Sequence, residues 1–401
     1  MRHSFSKLAA AGAAAALLLT ACSADDGAAG GDSNGKPINL AIVYGITGAY
    51  SGTGGVYMKG FNAAVDDINA RGGIAGRKIK VNLIDDKSDI TFAVSQITQL
   101  LHGKDKPDVV VPGGVSTETL GMLPVVSDAE LFSVSVASSV AANDPSKYPN
   151  HFGVSSTQAN QLAPIGKSMA AKGVKKLAVL AGADAFGDTN VTGIKAVAEA
   201  NGISIVATER PDPKALNFDV AFQRLAATKP DAIYADFAAF DAIGRAFTSR
   251  LTVGATDIPY YAGTASASTV PTTLTDKKAL VNCELPEFAS MVRQSPAPTY
   301  FTPLLNAFKG NPGSAYSGAL GYDTVQLIAL AIERTNGDTE AAKLTRALIG
   351  QPVPANRLAL YPEGYSLSDS DHFPKPTEKT FKAIPCDSSI VDGLWVPSAQ
   401  S

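Results

Sequence analysis

The side chains best suited to gripping a small molecule in this 401-residue chain are hydroxyls and aromatics placed just after apolar runs. Ser116 and Thr117 follow the run at 108–111 through Pro-Gly-Gly-Val, where helical spacing begins. A helix N-terminus offers unpaired N–H groups and a partial positive charge, which suit a carboxylate. Ser116 can equally do no more than cap its own helix. Val136, Ala137 and Ser138 form a second small, polar loop after the apolar run at 131–136. In open α/β sheets ligands sit at the carboxyl ends of strands, so two such loops at successive strand ends point to a ligand site. Segments 183–188, 236–241 and 263–266 hold comparable positions further along. There Phe186, Phe237 and Phe240 can wall a pocket, or pack in the core as aromatics after strands more often do.

Signals for catalysis are poor. Gly52-Thr53-Gly54-Gly55 is neither a dinucleotide fingerprint nor a phosphate loop, since no Gly-Lys-Ser/Thr follows, and it reads as a tight strand-to-helix turn. The four histidines are scattered at positions 3, 102, 151 and 372, and no G-x-S-x-G elbow occurs. Asp85, Asp86 and Asp89 lack calcium-loop spacing and read as a solvated strand end with a helix cap. No catalytic residue, metal or cofactor is expected. A net charge of −3 without any basic block argues against nucleic acid as a partner.

The elements that must carry these loops follow a strand–helix rhythm. The run at 38–43 looks like a strand buried on both faces, and Tyr57, Phe61, Ala64, Val65 and Ile68 then recur at helical spacing. Gly72-Gly73 stops that helix, and a second strand runs into Asp85-Asp86. The pattern repeats to about residue 150, restarts after a hinge expected at 152–155, and persists to the strand at 260–261. This is α/β architecture with two doubly wound parallel sheets. Beyond Cys283, proline-rich segments precede helices at 318–335 and 339–349 without intervening strands, so the chain is expected to return and pack on the first unit.

Residues 1–22 form an export signal: Arg2 and Lys7 precede an apolar stretch too short to span a membrane. Leu19-Thr20-Ala21-Cys22 is similar to a bacterial lipobox, which makes Cys22 a lipidation site, and the glycine-rich residues 23–36 a flexible tether to the membrane. An ordinary cleaved signal is the plainer reading. The two remaining cysteines, Cys283 and Cys386, suit one disulfide in an exported protein, with two buried thiols as the alternative.

Thr47-Gly48, Gly60, the segment Asp67-Ile68-Asn69 with Gly72-Gly73-Ile74 and Gly76, Asp85-Asp86, Phe186-Gly187 and Tyr322-Asp323 together carry a family likeness. Over nearly all of the mature chain the sequence resembles the leucine/isoleucine/valine-binding proteins, type I substrate-binding proteins of ABC importers. The resemblance implies two α/β lobes joined by three crossings, residues 37–153 with 285–359 and residues 154–284 with 360–401. It implies a carboxylate held by Ser116 and by Val136, Ala137 and Ser138, an aromatic contact at Phe186, and another at Phe237 or Phe240. Thr53 is the expected contact from the first loop.

One position departs from the pattern. Where amino-acid-binding members place an acid for the ligand ammonium, this chain has Thr264. An uncompensated buried ammonium costs several kcal/mol. Asp184, Asp236 or Asp241 could substitute. A branched-chain amino acid is therefore the family expectation, and an uncharged amide or an aromatic carboxylate its rival. The resemblance further implies a monomer working with permease and ATPase subunits of a transporter. A sensing module for a separate signalling partner is the alternative.

Overall fold

A computed structural model describes residues 35–104, 106–268, 275–294 and 298–398. The export signal, Cys22 and all but the last two residues of the tether lie outside the described residues.

Strand β1 (Ile38–Tyr44) is buried along almost its whole length because parallel neighbours flank it on both sides. Those neighbours are β2 (Ile79–Asp85) and β3 (Val109–Pro112), and β4 (Phe132–Ser135) and β5 (His151–Gly153) complete a five-stranded parallel sheet in the order β2-β1-β3-β4-β5. Helices α1 (Ser51–Ala70), α2 (Ile90–His102) and α3 (Ser116–Asp128) connect the first four strands. The glycine-rich stretch expected as a loop is instead the first turn of α1. A Cβ on Gly54 would lie 2.4 Å from the Gly45 carbonyl oxygen, so glycine lets this helix start against the end of β1 despite its poor helix propensity.

The second lobe contains α4 (Gln158–Ala171), β6 (Lys176–Ala181), α5 (Ala185–Ala200), β7 (Ser204–Glu209), α6 (Asp219–Ala227), β8 (Ala232–Asp236), α7 (Phe240–Thr252) and β9 (Tyr260–Ala262). Its sheet has six strands in the order β11-β10-β9-β8-β6-β7, parallel except where β11 (Phe381–Pro385) runs antiparallel to β10 (Cys283–Phe288). Cys283 and Cys386 form a disulfide, with Cα atoms 5.3 Å apart, joining the start of β10 to the residue after β11. It closes a separation of 103 residues, worth about 4 to 5 kcal/mol on the chain-entropy account.

Helices α8 (Thr302–Phe308), α9 (Tyr316–Arg334) and α10 (Ala341–Leu348) return to the first lobe. A Cβ on Gly60 would fall 1.7 Å from the Gly318 carbonyl oxygen, so α1 and α9 meet backbone to backbone. A small antiparallel pair, β12 (Ser389–Val391) and β13 (Leu394–Val396), ends the described chain.

The chain passes between the lobes three times: after β5, after β10, and before β11. Two of these crossings fall later than the sequence suggests. The boundary expected between residues 284 and 285 lies inside β10, because Leu285 to Phe288 keep pairing with β11. Residues 360–373, expected in the second lobe, stay on the first. Asn143 Nδ2 donates to Asp371 Oδ1 at 2.7 Å, Gly153 N donates to the His372 carbonyl at 3.1 Å, and the His372 ring stacks on Phe152 at 4.1 Å.

Candidate ligand-binding site

The carboxyl ends of both sheets face one cavity, about 460 Å³ of empty space with its mouth included. From the first lobe, Gly114, Val115 and Ser116 line it at the start of α3, Val136 and Ser138 line it after β4, and Thr53 and Tyr57 reach it from α1. A Cβ on Gly114 would lie 1.5 Å from Tyr44 Cζ, so only glycine lets the chain turn into α3 above that ring.

Ser116 does not cap its helix. Val115 is the N-cap, and it makes no side-chain capping bond. Ser116 Oγ is 1% exposed as a residue, borders the cavity, and has no hydrogen-bond partner among the described residues. This buried hydroxyl at the first turn of a 13-residue helix keeps its bonding capacity unused.

The loop after β4 is held from behind. Ser138 Oγ donates to Gln158 Oε1 at 3.1 Å, and Gln158 N donates back to the Ser138 carbonyl at 3.1 Å. Ala137 points its N–H to Ser135 Oγ at 3.4 Å. Ser135 in turn bonds the His151 ring at 3.1 Å, and Ser133 bonds its other nitrogen at 2.9 Å. Burial pushes His151 down to about 3, so this buried imidazole stays neutral and bridges two serines. His151 lies within β5.

The second lobe supplies Phe186 from the start of α5, Ala238 and Phe240 before and at the start of α7, and Thr264 and Ala265 after β9. Phe237 is elsewhere: it stacks on Phe218 with centroids 4.7 Å apart and planes 3° from parallel. Thr117 and Ala137 are also outside the lining. Thr117 Oγ1 accepts from Phe186 N at 3.2 Å, fastening one lobe to the other, and Thr53 Oγ1 donates to the Ala238 carbonyl at 3.4 Å beside it.

Lining residues that the sequence reading did not single out are Tyr57, Gln161 and Ser155 near the first crossing, and Tyr316, Ser317 and Leu320 at the start of α9. Tyr316 and Thr264 both line the cavity. The only available signal was that α9 begins with Tyr-Ser, which its apolar spacing outweighed.

None of the cavity-lining residues is charged. The three acids that could stand in for a missing partner at Thr264 are all engaged elsewhere. Asp184 caps α5, accepting from Gly187 N at 2.7 Å. Asp241 is exposed and pairs with Arg245 at 2.6 Å. Asp236 is buried beneath the 263–266 turn, accepting from Ala265 N and Ser266 Oγ, each at 3.3 Å, and burial pushes it up to about 7.

The profile of the family described as periplasmic binding proteins matches residues 37–375. The chain belongs to that family. Its fold is that of a type I periplasmic binding protein, a class of substrate-binding proteins rather than enzymes that works outside the cytoplasm. A periplasmic binding protein type 1 from Bordetella pertussis Tohama I superposes with a TM-score of 0.78 at 19% identity, covering 90% of this chain and 99% of the other. A solute-binding protein of an ABC transporter from R. palustris, solved with benzoate, gives a TM-score of 0.73 at 19% identity, covering 90% and 95%. An "Amino acid binding protein" from Pseudomonas aeruginosa is 33% identical over 101 residues, 24% of this chain and 27% of that relative. The matched stretch thus spans about a quarter of the curated relative.

Proposed function

We propose that this periplasmic binding protein captures a small aromatic or apolar monocarboxylate without an ammonium group, and delivers it to the permease of an ABC importer. The observation that carries this reading is the uncharged lining, with an unpartnered Ser116 hydroxyl at the start of α3. The helix N-terminus and hydroxyls compensate one negative charge, while Phe186, Phe240 and Tyr57 accept an apolar body. A zwitterionic amino acid would leave its ammonium facing Thr264 and Tyr316, two neutral hydroxyls, at a cost of several kcal/mol. The benzoate-bound relative supports the same ligand class, and the short match to an amino acid binding protein supports the rival. Lipidation at Cys22 would hold the protein at the membrane beside its transporter.

The test is a thermal-shift panel of benzoate, hydroxybenzoates, benzamide, leucine, isoleucine and valine. A ligand at 100 times its Kd stabilises by about 2.7 kcal/mol, a clear shift. The carboxylates without ammonium are expected to shift the protein and the amino acids are not. Shifts with leucine, isoleucine or valine and none with benzoates would overturn the reading.

A further inference from the structure

Behind the wall that bears Ser116 lies a carboxyl group which ligand contact does not explain. Glu118, in the first turn of α3, is fully buried. Its Oε2 accepts from Gly114 N at 2.9 Å. Gly114 is itself part of the cavity lining, so Glu118 holds the backbone that an incoming anion approaches. The other oxygen, Oε1, is buried without a partner among the described residues, and so is Oδ2 of the neighbouring buried Asp86.

The titratable groups facing Glu118 are Tyr44 of β1, Tyr50 just ahead of α1, Tyr57 within α1, and Asp85 and Asp86 at the end of β2. None of these is a cation. An ionised carboxylate with an unpartnered buried oxygen beside a second acid is costly, whereas the neutral acid is tolerated. Burial, with Asp86 adding to it, pushes Glu118 up to about 8, and burial pushes Asp86 up to about 6. Burial and the neighbouring acid thus favour the protonated form of Glu118.

We propose that Glu118 is the proton-holding partner of the anion site: the protein binds a carboxylate at Ser116 most tightly while Glu118 is protonated. This rests on the reading of Ser116 as the carboxylate anchor. Glu118 is a positioning residue, acting through Gly114 and through its charge rather than by touching the ligand. Once ionised, it would oppose the ligand's charge across one helical turn and occupy the helix end with an anion of its own. The bound ligand's charge in turn favours the proton, so affinity is flat where Glu118 is protonated with and without ligand. It falls as pH rises above about 8, until the bound form also loses its proton. At an effective dielectric of about 20, one such repulsion weakens binding roughly ten- to a hundredfold.

Two measurements on the purified full chain test this. Infrared difference spectra across the alkaline range, without ligand, should show a protonated carboxyl band disappearing in the wild type that Glu118→Gln lacks, beyond the bands of the buried acids Asp236, Glu287 and Asp323 that both proteins share. Isotherms with benzoate should show the ten- to hundredfold alkaline loss in the wild type and no such loss in Glu118→Gln, whose amide stays neutral. A missing band in the wild type overturns the proposal without reference to any ligand. If the band titrates but benzoate affinity is the same at every pH, the ligand reading stands and the proton coupling is wrong. If the band titrates and benzoate never binds, the carboxylate reading fails and the coupling falls with it.

Discussion

The two walls of the cavity are built on opposite principles. The first-lobe wall carries Ser116 and Ser138 and is backed by hydrogen bonds: the loop after β4 is tied to Ser135 and His151, the turn into α3 to Glu118, and Ser138 itself to Gln158 of the second lobe's α4. The second-lobe wall is mostly apolar, with Phe186, Ala238, Phe240 and Ala265, and its polar members are Thr264 and, near the first crossing, Ser155 and Gln161. Directional bonds require fixed geometry, so on the proposed function the lobe that would read the anion is the one with the hydrogen-bond scaffold. Apolar contact is non-directional and suits a surface that arrives by closure. The difference implies an order of events in which the anion docks on the first lobe and the second closes over its apolar body.

The change that would break this contrast most severely is Thr264→Asp, which puts a charge on the neutral wall. Like charges facing each other in a closed site cost several kcal/mol, so benzoate affinity should fall more than about a hundredfold. Leucine binding should rise, because the new carboxylate compensates an ammonium. Calorimetry with both ligands checks the exchange. Undiminished benzoate binding would place Thr264 away from the guest.

Ser116→Ala attacks the polar wall. A hydrogen bond to a charged group contributes about 1.5 to 3 kcal/mol, so benzoate affinity should drop roughly ten- to a hundredfold. Thermal stability without ligand should hardly change, since Ser116 Oγ bonds nothing among the described residues and caps nothing. That pairing of results separates ligand contact from capping. A lost cap would lower stability by about 1 kcal/mol and leave binding intact.

The polar wall was largely legible in the sequence and the apolar wall only in part, for a physical reason. Small polar residues after buried strands are conspicuous because loops there face the ends of a parallel sheet, and Ser116, Val136 and Ser138 do reach the cavity. Two phenylalanines three residues apart carry no mark of which one turns inward. Phe240 begins α7 and faces the cavity, whereas Phe237 follows β8 and turns into the core against Phe218. Tyr316 and Leu320 were hidden because a helix with apolar spacing reads as packing. The first sheet was readable from β1 and β3, whose apolar runs are buried on both faces. β10 was not, since Pro286 interrupts it. The strand tolerates that proline because β9 pairs only with Cys283 and Glu284, leaving the proline outside that ladder. The late crossings follow from the same blind spot, along with the short strands β11, β12 and β13.

Within the apolar wall, Phe240→Ala should cost about 1 to 2 kcal/mol of benzoate binding, the share of an aromatic's burial that faces a guest. Affinity then falls roughly five- to thirtyfold, and the preference for aromatic over short aliphatic acids narrows. Titration with benzoate and with propionate measures both effects. An unchanged ratio would mean that Phe240 closes the cavity without selecting what fills it.

The smallest effect on binding, and the sharpest division within that wall, comes from Phe237→Leu. Both phenylalanines are almost fully buried, so exposure alone does not tell a cavity wall from a core residue. What separates them is the partner. Phe237 lies flat against Phe218, a stack worth about 0.5 to 1.5 kcal/mol, while Phe240 borders the cavity. Leucine keeps most of the apolar volume and loses the stack. Phe237→Leu should therefore lower thermal stability by about 1 kcal/mol and leave benzoate affinity within about twofold. Phe240→Leu should show the reverse, holding stability and losing affinity. If Phe237→Leu instead weakened benzoate as much as Phe240→Leu does, the second wall would act as one packed unit, and selectivity would belong to its whole core rather than to the ring at its surface.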